Sequence, residues 1–374
     1  GPRTITLGDL SAEEARGLSA TLLPSADSTT WAQIARESHG HPLFVQELCR
    51  YLLGRTDVAW VSLDESMSAR IAALASPVRA LLEILCVAGA PISHSVAMSA
   101  TELGAGELAE AVKVLRIAYF VRTAGRREDD AIEPYHDRVR EIVTEHLDGE
   151  RCTRCHAALV TALGKDDAAH KIPHVLAHHA EAAGDASRAA GYAQLAAARA
   201  REVMAFDQAA DFFATALRLG DHAPAAKEAL ELQLAAAYVD AGRGTEAAEV
   251  FSRVAAATKD TGMRLTCERQ AAEHWLKSGR IDEGIAAMTK VLSEIGEAMP
   301  ATPGRALLSL LWHRFRVRLR GLDVDAPEGG TFDGDDLTRV DIYQAAAHGL
   351  AMVDNVRGAD FQARGLLAAL RTGE

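Results

Sequence analysis

Apolar residues recur at helical spacing through most of this chain. One segment shows the pattern through residues three or four positions apart: Ile281, Ile285, Met288, Leu292 and Ile295. Such residues fall on one face of a helix. Similar helices, rich in alanine, follow one another over residues 149–374 with short turns between them. Because each helix can bury its apolar face only against its neighbours, the pattern predicts an α-solenoid.

Four short turns in this region resemble one another, and each precedes a small-residue amphipathic helix: Ala183-Gly184-Asp185, Ala205-Phe206-Asp207, Ala241-Gly242-Arg243 and Ser278-Gly279-Arg280. The last three turns are 36 and 37 residues apart, whereas the first interval is only 22 residues. The longer intervals are close to the length of a tetratricopeptide repeat, which is about 34 residues. The sequence therefore predicts tetratricopeptide-like repeats that are irregular at their start.

Residues 1–57 predict a small helical subdomain. Ser11, followed by acidic residues, marks the start of a first helix, because serine caps helices and acids favour their first turn. A second helix is expected at about 31–37 and a third at about 43–53. Between them stands Gly40-His41-Pro42, where glycine allows a sharp turn and proline suits the first helical position.

Residues 58–148 have the pattern of a winged-helix domain. Helices are predicted over four segments: 64–75, 77–88, 93–101 and 106–118. Two short apolar runs follow at 119–123 and 131–133, and the polar turn 125–130 joins them, so they predict a β-hairpin. A last helix is expected from Tyr135 to Leu147. With the repeats, these regions predict a mainly α protein.

Composition narrows the possible functions. Aromatic residues make up 5% of the chain and apolar residues 48%, which suits closely packed helices. The net charge of −12 makes nucleic-acid binding an unexpected function, because binding to phosphates needs clustered cations. No apolar run approaches the ~20 residues of a membrane helix. The five cysteines are scattered, which favours a reducing, cytoplasmic environment.

Signatures of catalysis are absent from the sequence. It contains no Gly-x-x-x-x-Gly-Lys-Ser/Thr phosphate loop and no kinase catalytic loop. The segment from Gly242 to Ala247 matches the residue spacing of a dinucleotide-binding fingerprint, but it follows a predicted helix rather than a strand. We interpret it as a turn between helices, and we expect no catalytic residues in this chain.

Two patterns of cysteine and histidine residues could indicate bound haem or a bound metal ion. Cys152, Cys155 and His156 spell a c-type haem attachment pattern, but they lie within a predicted helix, and we interpret the match as chance. His174 and His178 are four residues apart, and His170 precedes them by another four, so two of them could share a metal ion. Because no standard zinc spacing is present, we favour scattered interface histidines and expect no metal.

Two further segments have unusual charge. Residues 305–320 carry five arginines, with Trp312 and Phe315 among them. We predict a buried helix with a cationic face, and the alternative is a helix that binds nucleic acid or a membrane surface. Residues 323–336 are acidic and rich in glycine but miss the calcium-loop register, so we predict a solvated loop.

Two short motifs are informative when they are considered together. The segment from Gly40 to Leu48, Gly-His-Pro-Leu-Phe-Val-Gln-Glu-Leu, resembles the Gly-x-Pro-Leu segment of STAND ATPases, the class that includes NLR-type and LuxR-type signalling proteins. Some 90 residues later, His136-Asp137 resembles the His-Asp motif of the same class, and repeats follow in both. The resemblance implies that Pro42 packs against adenine and that His136 contacts the β-phosphate of ADP, which holds a closed, inactive state.

Longer stretches, such as 177–185, 279–284 and 357–364, are similar to large bacterial serine/threonine protein kinases of myxobacterial type, which combine a kinase, an ATPase module and repeats. This resemblance implies a regulatory fragment whose partners are upstream ATPase and kinase domains of the same chain. It also implies ADP or ATP with Mg²⁺ in the full-length protein and a protein or small-molecule effector on the solenoid. The alternative is a LuxR-like or AfsR-like transcriptional regulator that binds DNA through the winged helix.

Overall fold

The protein is described here by a computed structural model that covers residues 8–53, 62–123, 131–165, 171–322 and 334–372. Within these residues the fold is mainly α with one small sheet, which confirms the predicted fold class. The chain forms two compact units. Unit 1 comprises Gly1–Lys171 and His178–Asp185, and unit 2 comprises Ile172–Ala177 and Ala186–Glu374. This division is coarser than the three predicted regions, whose boundaries at 57 and 148 stay predictions.

Unit 1 contains nine helices among its described residues: α1 (Ala12–Leu22), α2 (Ser28–Glu37), α3 (Pro42–Leu52), α4 (Leu63–Ala72), α5 (Ser76–Ala88), α6 (His94–Thr101), α7 (Ala105–Ile117), α8 (Asp137–His146) and α9 (Gly149–Leu163). Local signals fix several of their starts. At α1, the Ser11 hydroxyl accepts a hydrogen bond from the Glu14 amide, while the Glu14 carboxylate accepts one from the Ser11 amide. Such a capping box satisfies two amides that the helix leaves unpaired.

A three-stranded antiparallel sheet completes unit 1. Its strands are β1 (Ile92–Ser93), β2 (Val121–Thr123) and β3 (Ala131–Pro134), in the order β1-β3-β2. The pairing of β2 with β3 confirms the two predicted hairpin strands, although the turn at 125–130 lies outside the described residues. Strand β1 was not predicted, because two residues are too few to show strand alternation. Ile132 on β3 is fully buried and joins the core built around α5.

Ten more helices follow in the described part of the chain: α10 (Pro173–Ala182), α11 (Ala186–Glu202), α12 (Phe206–Leu219), α13 (Pro224–Asp240), α14 (Gly244–Ala257), α15 (Thr261–Lys277), α16 (Ile281–Glu294), α17 (Pro303–Arg320), α18 (Gly334–Ala351) and α19 (Asn355–Thr372). The residues of α10 are divided between the two units. From α11 to α16, each helix packs against the next, and buried alanines fill much of the contact. Alanine allows close helix approach because its side chain is one methyl group.

The four predicted turns share one backbone geometry. In three of them, the amide of the turn's last residue bonds the carbonyl five residues earlier, as Arg243 does to Tyr238 and Arg280 does to Trp275, at 2.8 and 2.9 Å. In the turn that begins at Ala205, the equivalent bond runs from the Ala205 amide itself to the Ala200 carbonyl, at 2.8 Å. The residue before the bonded amide has positive φ in all four, a glycine in three turns and Met204 in the fourth. This hydrogen bond is the mark of a Schellman helix end, where glycine carries no steric cost.

Side chains repeat along with these turns. Arg243 lies over the Tyr238 ring and pairs with Glu246, and 37 residues later Arg280 lies over the Trp275 ring and pairs with Glu283. The equivalent contacts at equivalent positions show that the interval found in the sequence is a structural repeat.

Helix α17 departs from prediction. We expected residues 305–320 to form a buried helix, but Ala306 is its only buried residue, and Trp312 and Leu308 are 58% and 70% exposed. The expectation of a buried helix is therefore wrong. Helix α17 packs mainly on α19, and most of its large apolar side chains are about half exposed or more. The following helix, expected from 337, begins at Gly334, and residues 323–333 of the acidic loop lie outside the described part of the chain.

None of the helices in the described residues combines the length and the apolar character that crossing a membrane requires.

Candidate functional site

The first candidate residue, Pro42, lies directly after a tight turn. Gly40 adopts a φ of +78°, its carbonyl accepts a 2.8 Å hydrogen bond from the Leu10 amide, and a Cβ atom there would lie 2.2 Å from the Leu10 carbonyl oxygen. Only glycine fits this geometry without strain. Pro42 then occupies the first position of α3 and is exposed, while His41 is the N-cap and makes no side-chain capping bond.

The second candidate residue, His136, is the N-cap of α8. Its Nδ1 atom accepts a 3.0 Å hydrogen bond from the Arg138 amide. Because Nδ1 acts as the acceptor, the proton of the neutral ring is on Nε2, which is then available as a donor. The His136 side chain is half-buried. The fold thus orients this ring through a bond to its own helix.

Three aromatic rings bring the two helix starts together. The centroid of the His136 ring lies 4.9 Å from that of His41 and 4.8 Å from that of Phe44, both in edge-on geometry. The rings of His41 and Phe44 are themselves 4.5 Å apart. The N-termini of α3 and α8 therefore converge within unit 1. The helix dipole makes such ends favourable for anions, whereas the backbone amides contribute less here, because Pro42 has no N–H and the Arg138 amide already bonds His136.

His41 also belongs to the site, although its role was not predicted from the sequence. Burial lowers the pKa of the His41 ring, and the neighbouring His136 lowers it further, so the neutral ring prevails at pH 7. Among the described residues, its buried Nδ1 atom has no hydrogen-bond partner. The signal available in sequence was the helical spacing of His41 and Phe44, which lie about one turn apart and can face the same partner.

A cavity of about 240 Å³ is lined in part by His136. Arg122 and Arg140 line it, but Arg122 pairs with Glu133 at 2.8 Å, and Arg140 pairs with Asp137. An anion in this cavity would compete with carboxylates for both arginines. The affinity of the site for an anion therefore rests on His136 and the helix dipoles more than on these cations.

The face of α7, the candidate DNA-recognition helix, carries few cations. Lys113 pairs with Glu110 at 3.1 Å, and Arg116 is its other basic residue. Ile117 at its end is 67% exposed. Contacts with DNA phosphates need cations that are free to bind them, so this surface gives the DNA-binding alternative no support.

The residues of the haem-like pattern lie on α9. Burial raises the pKa of the Cys155 thiol to about 11, so this thiol stays protonated and unreactive at neutral pH. His156 faces His179 on α10 instead of solvent, and burial lowers the pKa of His179 to about 4. Burial lowers the pKa of His156 as well. These surroundings favour the interpretation of the Cys-x-x-Cys-His pattern as chance.

No family model matches the chain, and no curated protein matches it. Among solved structures, it is similar to the crystal structure of a Signal Transduction ATPase with Numerous Domains (STAND) protein with a tetratricopeptide repeat sensor from Pyrococcus horikoshii. The identity is 15% and the TM-score 0.43, over 98% of this chain and 54% of that one. This chain thus spans about half the length of that protein, and so distant a likeness transfers no residue role.

Proposed function

We propose that this chain is the regulatory part of a larger signalling ATPase of the STAND class. In this proposal, unit 1 closes over a nucleotide held by an ATPase core, and the helical repeats of unit 2 receive the signal. The observation that carries it is the convergence of the α3 and α8 N-termini through the rings of His41, Phe44 and His136. Two motifs that are more than 90 residues apart in sequence share one surface of unit 1.

The chemistry of this surface fits ADP. His136 keeps its Nδ1 atom on the Arg138 amide, so its Nε2–H is directed by the fold and can donate to a phosphate oxygen. The exposed Pro42 ring offers a flat apolar surface on which adenine can pack. The helix N-termini add partial positive charge beside both residues. Each role follows the resemblance to STAND ATPases and uses a group that this geometry leaves accessible.

The proposed mechanism is a two-state switch. Contacts of Pro42 and His136 with ADP stabilise a closed, inactive state, and an effector on unit 2 stabilises an open one. An effector can shift this balance only by the difference between its affinities for the two states. Partners are therefore the ATPase domain of the same protein and a protein or small-molecule effector, in the cytoplasm. A serine/threonine kinase domain in the same protein is a finer proposal, supported by sequence resemblance alone.

The sharpest test replaces His136 with asparagine in the full-length protein. Asparagine is a good N-cap, so it keeps the bond to the Arg138 amide but loses the reach of the imidazole Nε2–H. We expect the variant to lose ADP roughly tenfold to a hundredfold more readily, the effect of removing one hydrogen bond to a charged group. Retained ADP is measured by chromatography of the nucleotide released from purified protein.

The matched control is His146→Asn, at the opposite end of the same helix. The His146 ring bonds the Ile142 carbonyl within α8 and lies away from the ring cluster. This variant is expected to retain ADP as the unchanged protein does. If His136→Asn also retained ADP while circular dichroism showed an intact fold, the proposed contact would be rejected.

A further inference from the structure

Three histidines converge between α9 and α10, within unit 1 and apart from the proposed nucleotide site. Each of His156, His178 and His179 presents one ring nitrogen, and these three nitrogens lie within 4.8 Å of one another. The Nδ1 atoms of His156 and His179 are 2.8 Å apart. The rings come from residues 22 and 23 positions apart in sequence, so only the packing of the two helices joins them.

The hydrogen bonding of this cluster is incomplete. His179 is 2% exposed, yet its Nε2 atom has no hydrogen-bond partner among the described residues. The third ring, His178, is exposed and gives the cluster an opening to solvent. The site thus combines two buried ligand rings with one accessible ring.

We propose that His156, His178 and His179 bind a divalent transition-metal ion of the kind that prefers imidazole, with Zn²⁺ as the best fit. Three imidazole nitrogens with a fourth position left to water form a known type of zinc coordination. Zinc–nitrogen bonds of about 2.0–2.1 Å place tetrahedral nitrogens roughly 3.4 Å apart, a separation that lies within the 4.8 Å span of the present cluster. The ion would tie α9 to α10.

The experiment uses the whole chain, stripped of metal with a chelator and freed of any histidine tag. Zn²⁺ is titrated against a chromophoric chelator, and Co²⁺ serves as a spectroscopic probe because tetrahedral Co²⁺ absorbs far more strongly than octahedral Co²⁺. We expect one Zn²⁺ per chain, a tetrahedral Co²⁺ spectrum and a higher melting temperature with metal, because an ion that binds only the folded state stabilises it.

His178→Gln is the principal variant, because the exposed position tolerates substitution. It should weaken Zn²⁺ binding by roughly tenfold or more, and His156→Gln should do the same if it folds. The matched control is His174→Gln, one turn earlier on α10, whose exposed ring is not part of the cluster. Absence of stoichiometric binding would overturn the proposal. Loss of binding in His174→Gln would also overturn it, because the metal would then lie on the exposed His174–His178 pair.

Discussion

Replacing Arg364 with methionine is expected to lower the free energy of unfolding of unit 2 by about 3–5 kcal/mol, the usual effect of removing one partner from a buried ion pair. The Arg364 guanidinium pairs at 2.9 Å with the carboxylate of Asp360, which is fully buried. Methionine keeps much of the side-chain volume. The decrease in the free energy of unfolding therefore comes from the carboxylate that has lost its ion pair more than from a cavity. Urea unfolding followed by circular dichroism measures the change.

The surroundings explain why the effect should be large. Asp360 also accepts hydrogen bonds from the Ser309 hydroxyl at 2.8 and 2.9 Å, and the His313 Nδ1 atom lies 3.0 Å away. These residues join α19 to α17, whose outer face is largely exposed. The network therefore supplies much of the specific contact that holds α17. Hydrogen exchange should accelerate in α17 and α19 before other helices.

Two controls separate the buried pair from charge in general. Lys277→Met removes an exposed partner of Glu273, which also pairs with Arg269, and should cost less than about 1 kcal/mol. The double variant Asp360→Asn with Arg364→Met should lose less than the sum of the two single variants, because each single change already removes the ion pair between the two residues. Strict additivity would show that the pair is not coupled.

Replacing Gly40 with alanine is expected to destabilise unit 1 by about 3 kcal/mol. A left-handed backbone costs a residue with a Cβ roughly 1–2 kcal/mol. Here the new Cβ would also lie 2.2 Å from the Leu10 carbonyl oxygen, so the 2.8 Å bond between the Leu10 amide and Gly40 must break or move, at about 1 kcal/mol. Thermal unfolding and hydrogen exchange at the Leu10 amide measure both effects.

Gly89→Ala is the matched control. Gly89 has a similar φ of +68°, but a Cβ there would meet nothing within 4 Å. This variant should show only the backbone cost of about 1 kcal/mol. Equal destabilisation by the two substitutions would show that contact with Leu10 contributes nothing, and that the Gly40 turn is fixed by local conformation alone.

The local structure around the candidate site residues could be predicted from the sequence, but the contacts between those residues could not. The Gly-His-Pro turn and the helix after the hairpin could be predicted, because glycine, proline and capping residues act on their immediate neighbours. The contact of His136 with His41 and Phe44 could not, because it joins residues more than 90 positions apart. The error at α17 has a related cause: its apolar spacing predicts burial, but only packing decides whether a partner covers that face.

The amino-acid sequence alone determined the mainly α character, the approximate helix starts and the repeat interval of 37 residues between the last two turns, because these depend on hydrogen bonds and apolar spacing within a few turns of chain. Tertiary structure decided the pairing of β1 with β3, the convergence of the α3 and α8 N-termini, and the meeting of His156 with His178 and His179. Each of these joins distant segments through the packing of whole helices, and no local pattern in the chain encodes which helices will meet.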